Sequence, residues 1–428
     1  MRTRRSRTSS SALLRRTYAR FSPSLAPPRR LSGVSPSPPG LPWATALFIP
    51  HPLHVERQIG AAPGSSGPQA PQRLGRVLPM IRALCGSAIW AGILLVTPVL
   101  AFAEGQPAPT SSRAAAALGE ALFFDTALSA DGTVACATCH RPDAAFADSQ
   151  SVTAGVLGRR GTRNAPGLMG AGRLRELFWD GRRASLEELV IDPLTTPEEH
   201  GFADMNAAVA IVRARHAAGF ARVFPGGEVT PERVAQALAS YVRGLVPAPS
   251  AFDRYLAGDI EALRPAQRRG LALFSGRAGC ARCHRLEEGA LTDGAYHAGE
   301  VLPALVPRLA AAARDAARMP SEARRAAVPA RVEVAALGRY VATLRTADIG
   351  RFRTPSLRNV AVTAPYMHDG SVPTLAQAVE RELYYRVDEG LRVGDLTPAE
   401  RMDLVEFLQA LTSPGTPPGR TAAAPTVR

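Results

Sequence analysis

The chain carries Cys136-Ala-Thr-Cys139-His140 and, further on, Cys280-Ala-Arg-Cys283-His284. In each, two thiols share one helical turn and the next residue is a histidine. Covalent attachment of a c-type haem demands this arrangement, the thiols taking the vinyl groups and the histidine the iron. A thioredoxin-like redox pair and a four-cysteine zinc site use the same thiol spacing, but neither calls for a histidine after every pair. The chain has five cysteines. Four are consumed by the motifs and the fifth is Cys85, so no pair is left for a structural disulfide. The reading is two covalently bound haem c groups, with His140 on the first iron and His284 on the second.

The segment before the motifs has a different character. Residues 1–79 are rich in Arg, Ser and Pro, as in Pro27-Pro28-Arg29-Arg30, and cannot build a core. Met80-Ile-Arg82 then leads into an apolar run from Ala88 to Leu100, and Ala101-Phe-Ala103 offers small residues for cleavage. Residues 80–103 therefore read as a secretory signal peptide with its start at Met80. Residues 1–79 read as a disordered extension that precedes the true start. A membrane anchor would need roughly 20 apolar residues, more than this run supplies, so no stable span is expected after cleavage. Export through a signal peptide places the mature chain in the periplasm. The net charge of +14 is concentrated partly in the extension. No basic and aromatic stripe accompanies it, so no nucleic-acid partner is implied.

Beyond residue 104 the chain reads helix, loop, helix, and the fold class is mostly α. Ser185-Leu-Glu-Glu188 and Thr397-Pro-Ala-Glu400 are capping boxes. In the last helix Met402, Val405, Leu408 and Leu411 recur at helical spacing and predict one buried face. Gly119-Glu-Ala-Leu-Phe123 before the first motif is echoed by Gly270-Leu-Ala-Leu-Phe274 before the second. Two c-type cytochrome-like haem domains packed together follow, over residues 104–263 and 264–428. The Ala- and Arg-rich stretch from Leu302 to Ala336 reads as a solvated helix or loop insertion.

Five further segments resemble the bacterial dihaem cytochrome c peroxidase and MauG family: Leu118-Gly-Glu-Ala-Leu-Phe-Phe-Asp125, Asn164-Ala-Pro166, Phe178-Trp-Asp-Gly-Arg182, Arg353-Thr-Pro-Ser-Leu-Arg-Asn359 and Ala364-Pro-Tyr-Met-His-Asp-Gly370. The resemblance spans most of residues 117–412. It implies a peroxidatic haem in the first domain, an electron-transfer haem in the second and a calcium ion between them. Glu199 matches the distal carboxylate, which moves the proton of bound hydrogen peroxide and assists O–O cleavage. Taken alone, Glu199 reads as a surface acid in the first turn of a helix capped at Thr196-Pro197. Trp179 matches the aromatic relay between the haems. Asn164, Thr363 and Pro365 match the calcium ligands, oxygen donors suited to that hard ion.

Four departures from the family pattern bear on function. No histidine occurs between Arg141 and Glu199, where relatives with a closed first haem carry one, so the first haem is expected to be five-coordinate. His200, where a methionine is usual, is read as a helix-surface residue. Leu189 stands where relatives place a glutamine near the distal region. At the second haem the position of the axial Met or Tyr is taken by Glu382, leaving Tyr385 or Tyr384 as the expected ligand; no methionine lies between Met367 and Met402. These features favour a MauG-like haem peroxidase. Its partners would be hydrogen peroxide and either a small redox protein, cytochrome or cupredoxin, or a protein substrate. A non-catalytic dihaem electron-transfer cytochrome c is the alternative.

Overall fold

The computed structural model describes residues 113–286, 289–299, 301, 304–385 and 396–415. The extension and the signal peptide fall outside these. Among the described residues, no helix is long and apolar enough to cross a membrane. The first half is built on α1 (Arg113–Phe123), α2 (Met205–Val223) and α3 (Pro231–Gly244). Asp204 caps α2 by accepting from Ala207 N at 2.9 Å, and Thr230 caps α3, where Pro231 supplies a preset φ and no orphan N–H. The second half is built on α4 (Pro265–Ser275), the strand β1 (Tyr296–Ala298), α5 (Val306–Arg318), α6 (Ser321–Ala330), the strand β2 (Arg351–Arg353), α7 (Leu375–Tyr385) and α8 (Pro398–Gln409). The two strands form an antiparallel ribbon in which Tyr296 faces Arg353 and His297 faces Phe352.

The internal echo has a structural cause. Each copy places its glycine where a helix meets its partner backbone to backbone. A Cβ on Gly119 would lie 1.9 Å from Ala237 O on α3, and one on Gly270 would lie 1.9 Å from Asp403 O on α8. Four residues on, Phe123 and Phe274 are both 2% exposed and enter separate cores. The first core gathers Leu122, Leu194, Phe220 and Leu238; the second gathers Phe252, Leu263, Phe407 and Leu411.

Both predicted capping residues cap. Thr397 N donates to Glu400 Oε2 at 2.8 Å, and Glu400 N returns to Thr397 Oγ1 at 3.3 Å. Ser185 Oγ accepts from Glu188 N at 3.2 Å, but the helix it starts is only Leu186–Leu189. On α8 the expected stripe is buried at three of its four positions. Val405, Leu408 and Leu411 are buried as expected, with Leu404 and Phe407 widening the face against α4, and only Met402, nearest the start of the helix, is exposed, at 53%.

The Ala- and Arg-rich insertion is not a solvated element. On α5, Leu309, Ala312, Ala313 and Ala316 form an apolar stripe that joins Val328, Val334 and Leu337 in a third core. Small alanines let these helices approach closely. Buried Arg324 of α6 donates to Met319 O at 3.1 Å, satisfying a carbonyl at the end of α5, and to Val341 O at 2.6 Å. The insertion also grips the first half, through Thr162 Oγ1 to Val328 O at 2.6 Å and Arg183 to Glu322 at 2.9 Å.

In an exposed helix Gly→Ala is stabilising; at these two crossings the sign reverses. Gly119→Ala and Gly270→Ala are each expected to cost about 2 kcal/mol through overpacking, read as a lower Tm of the haem-loaded protein. An unchanged melt would show that the helices can separate without penalty.

Candidate haem and peroxide sites

Cys136–Cys139 forms a single helical turn, with Ala135 N donating to Thr138 Oγ1 at 3.0 Å. Cys280–Arg282 is a tighter 3-10 turn. In both, the histidine N–H closes the turn on the first cysteine carbonyl, at 2.9 Å for His140 and 3.0 Å for His284. His140 Nδ1 lies 3.0 Å from Phe146 O, and His284 Nδ1 lies 3.1 Å from Leu291 O. A carbonyl can only accept, so Nδ1 carries the proton and Nε2 is left as the ligand atom. Each accepting carbonyl belongs to a non-glycine residue in the left-handed region, Phe146 at φ 59° and Leu291 at φ 51°. Such strain persists only where the surroundings impose it, and here it aims the carbonyl at the histidine.

Burial pushes the Cys136, Cys139 and Cys280 thiols up to about 12. A redox-active thiol pair requires the opposite shift. Among the described residues the two motifs do not converge on one four-cysteine cluster; the one group of metal-type ligands is Cys283, Asp293 and His297. The donor set therefore fits two separate haems and fits neither a disulfide couple nor a zinc knot. Burial also keeps His140 neutral, as an iron ligand must be.

Glu199 lies beside the first motif, close enough for its charge to raise both thiols. The segment holding it is a tight turn, not a helix. Glu199 N bonds Thr196 O at 3.0 Å, Glu199 O accepts from Val156 N at 2.9 Å, and a Cβ on Gly155 would collide with Glu198 O at 2.1 Å. Burial pushes the Glu199 carboxyl up to about 7; Arg182 opposes the shift, and Asp192 and Glu198 reinforce it. A carboxyl poised there can both accept and return a proton near neutrality. His200 corrects the surface reading. It is 3% exposed, its Nδ1 is bonded to Leu128 O, and its Nε2 is 3.9 Å from Cys136 Sγ. The turn, unlike a helix, drives consecutive side chains inward.

The second motif opens on a cavity of about 340 Å³. Cys280, Cys283 and His284 form part of its wall, and Trp179, Asn164, Thr363 and Pro365 form another part. Leu189 borders the same space. Helix α7 contributes Leu375, Ala378, Val379, Glu382 and Tyr385, a helical stripe. Tyr384 is 63% exposed and points elsewhere. Glu382 is the one carboxylate on the wall among the described residues, and it shares the cavity with Tyr385 and the haem motif. Met169 and His297 also line the cavity without having been singled out by pattern, beside Arg353 of the Arg353–Asn359 segment.

Trp179 is fixed at both ends. Its indole Nε1 donates to Asn164 O at 3.0 Å, and its carbonyl accepts from Arg353 N at 2.8 Å. Next to it, Asp180 is fully buried, 3.0 Å from Arg182 Nη1 and 3.6 Å from Arg163 Nη2. Burial works to raise the Asp180 carboxyl, and the two guanidinium groups outweigh it, holding it below the usual range. Asn164 Nδ2 donates to Gln150 O at 3.0 Å.

A family model described as di-haem cytochrome c peroxidase matches residues 113–261. The methylamine utilization protein MauG of Methylophilus methylotrophus is 31% identical over 325 residues, 72% of this chain and 86% of its own. The cytochrome-c peroxidase IdrP2 of Denitromonas iodatirespirans is 34% identical over 356 residues, 79% of this chain and 92% of its own. Among solved structures, the diheme peroxidase BthA of Burkholderia thailandensis superposes with a TM-score of 0.55 at 28% identity, covering 73% of this chain and 91% of that one. A mostly helical chain with two such turns is a dihaem cytochrome c in class. By these relatives it belongs to the di-haem cytochrome c peroxidase and MauG family, whose members carry two haems.

Asp180→Asn would leave Arg163 and Arg182 buried without their counter-charge, and is expected to cost about 3 kcal/mol. The Asp180 contribution is present at neutral pH and is lost as the pH falls below the ordinary carboxylate range. Thermal melts of both proteins at pH 7 and pH 3 check this; the two curves should approach each other at the lower pH.

Proposed function

We propose that this protein is a periplasmic, MauG-like dihaem peroxidase. Haem at His140 would supply peroxide chemistry, and haem at His284 would store or transfer the second oxidising equivalent. The observation that carries the reading is the Glu199 carboxyl, buried beside the first motif and poised at about 7. Glu199 takes a proton from one oxygen of hydrogen peroxide and returns it to the departing oxygen. Cys136, Cys139, Cys280 and Cys283 hold the two groups, and His140 and His284 present Nε2 to the irons. Trp179, clamped between Asn164 and Arg353, relays electrons between the two halves. Asn164, Thr363 and Pro365 share one stretch of wall and offer oxygens to a calcium ion. Electrons come from a small redox protein or from a side chain of a protein substrate.

A second reading of the first haem rests on His200. With Nδ1 tied to Leu128 O, its Nε2 faces Cys136 and is available to close the first iron. Stopped-flow absorbance of the oxidised, haem-loaded protein with stoichiometric peroxide decides between them. Rapid reaction without pre-reduction supports an open site; reaction only after one-electron reduction, or after His200→Ala, supports closure.

Glu199→Gln is expected to slow the peroxide reaction by about a hundredfold. The wild-type rate should rise with pH through about 7, as the carboxylate forms, and the variant should be flat. At the second haem Tyr385 would be the α7 residue that holds the iron. Tyr385→Phe should then remove the phenolate-to-iron absorption band; loss in Glu382→Gln instead would assign the ligand to the carboxylate.

A further inference from the structure

One cluster of titratable groups has no part in the chemistry above. Of the three residues of β1, His297 and Ala298 line the cavity of the second motif and Tyr296 does not. Tyr296 is paired across the ribbon with Arg353, the residue whose N–H holds the Trp179 carbonyl. Its phenol lies against the same segment: a Cβ on Gly181 would fall 1.6 Å from the Tyr296 hydroxyl. That hydroxyl donates to Glu176 Oε2 at 2.8 Å. Arg339 locks the pair, 2.7 Å from Glu176 Oε1 and 3.0 Å from the phenol oxygen, and is anchored on Gly181 O at 2.9 Å. The Glu176 side chain is 37% exposed, so the cluster runs from the Trp179 backbone to solvent.

The identity of the acceptor is what distinguishes this tyrosine. Tyr340 donates to Ala313 O and Tyr366 to Val360 O, backbone carbonyls that cannot take a proton. A phenol that loses an electron becomes a strong acid and must release its proton at once. Only an acceptor already within hydrogen-bond reach, and basic enough to keep the proton, allows that. The carboxylate of Glu176 meets both conditions. The charge of Arg339, 4.1 Å above the Tyr296 ring, would by itself oppose oxidation, and Glu176 offsets it.

We propose that Tyr296 is a proton-coupled relay that carries an oxidising equivalent from the Trp179 segment to the protein surface. This rests on the peroxidase reading, which names hydrogen peroxide as the oxidant. Peroxide takes up two electrons and two protons, and its O–O bond breaks to give two waters. One of the electrons is restored by Tyr296, whose O–H bond breaks as its proton moves to Glu176 Oε2. The products are a neutral phenoxyl radical and a protonated Glu176. An external one-electron donor then reduces the radical, and Glu176 returns the proton. Arg339 is a positioning residue.

The test is freeze-quench EPR of the haem-loaded protein after stoichiometric peroxide, with ring-deuterated tyrosine to identify the radical. Wild type should give a free-radical signal that narrows on deuteration. Tyr296→Phe should lower its yield at least about tenfold, and Glu176→Gln, which keeps a hydrogen-bond acceptor but no base, should slow its formation at least about tenfold. Tyr340→Phe should leave it unchanged. Equal melting temperatures of the Glu176→Gln variant and wild type separate loss of the base from loss of fold. An undiminished tyrosyl signal in Tyr296→Phe overturns the relay. So does a haem absorbance that responds to peroxide without any tyrosyl signal. A haem absorbance that does not respond at all overturns the peroxidase reading and takes the relay with it.

Discussion

The buried carboxylate of Asp180 is the constraint around which the two halves are organised. A charge with no solvent access must be paired or the fold pays several kcal/mol. Arg182 and Arg163 pair it from the first half. The neighbouring backbone is then claimed from the second: Arg353 N holds Trp179 O, Arg353 Nε lies 3.2 Å from Phe178 O, and Arg339 binds the carbonyls of Asp180 and Gly181. Phe178 itself sits at φ 65°, with the Arg182 guanidinium 3.5 Å over its ring. Five consecutive residues are thereby over-determined, and Trp179 inherits a fixed position on the cavity wall. Arg182 also reaches the other site electrostatically, since it is the group that restrains the rise of the Glu199 carboxyl.

What was legible in the sequence was whatever depends on local spacing. Cysteines three apart with a following histidine define a turn, Thr397 with Glu400 defines a cap, and the echo of Gly119–Phe123 in Gly270–Phe274 marks two similar units, though not that each glycine sits at a helix crossing. What was not legible depends on contacts made at long range. Periodicity phased the face of α8 at Val405, Leu408 and Leu411 but not its N-terminal end, where Met402 and Leu404 are both apolar and only α4 decides between them. The alanines of α5 look like solvent-side filler until a second and third helix supply the opposite wall. His200 was misjudged because a Pro-Glu-Glu-His string after a threonine reads as a helix start, whereas Gly155 and Gly201, at φ 74°, permit a turn that buries it. Tyr296, Glu176 and Arg339 are separated by up to 163 residues, and no pattern in one sequence unites them.

The two haem motifs share one device. Each histidine is oriented by a carbonyl that a strained, left-handed residue presents a few positions later. Because the same strain is reproduced at Phe146 and Leu291 in unlike loops, it is tied to the histidine and not to the loop. The proton on Nδ1 is fixed before any iron binds, so the ligand atom needs no tautomeric choice.

Beyond that shared device the two surroundings diverge, and the divergence has a chemical direction. Beside the first motif stand a carboxyl near neutrality and a buried neutral histidine, groups that exchange protons. The second motif faces a cavity walled by apolar side chains, Trp179 and Tyr385, with cationic Arg353 and Arg358 among them. Proton transfer requires an acid or base held at hydrogen-bond distance; electron transfer requires rigid, polarisable groups and little reorganisation of solvent. On the proposed reading the first site would serve the former and the second the latter. Within the seam that joins them, the Asp180 carboxylate itself stays out of proton exchange, because it is held ionised by two arginines whose own protons do not leave.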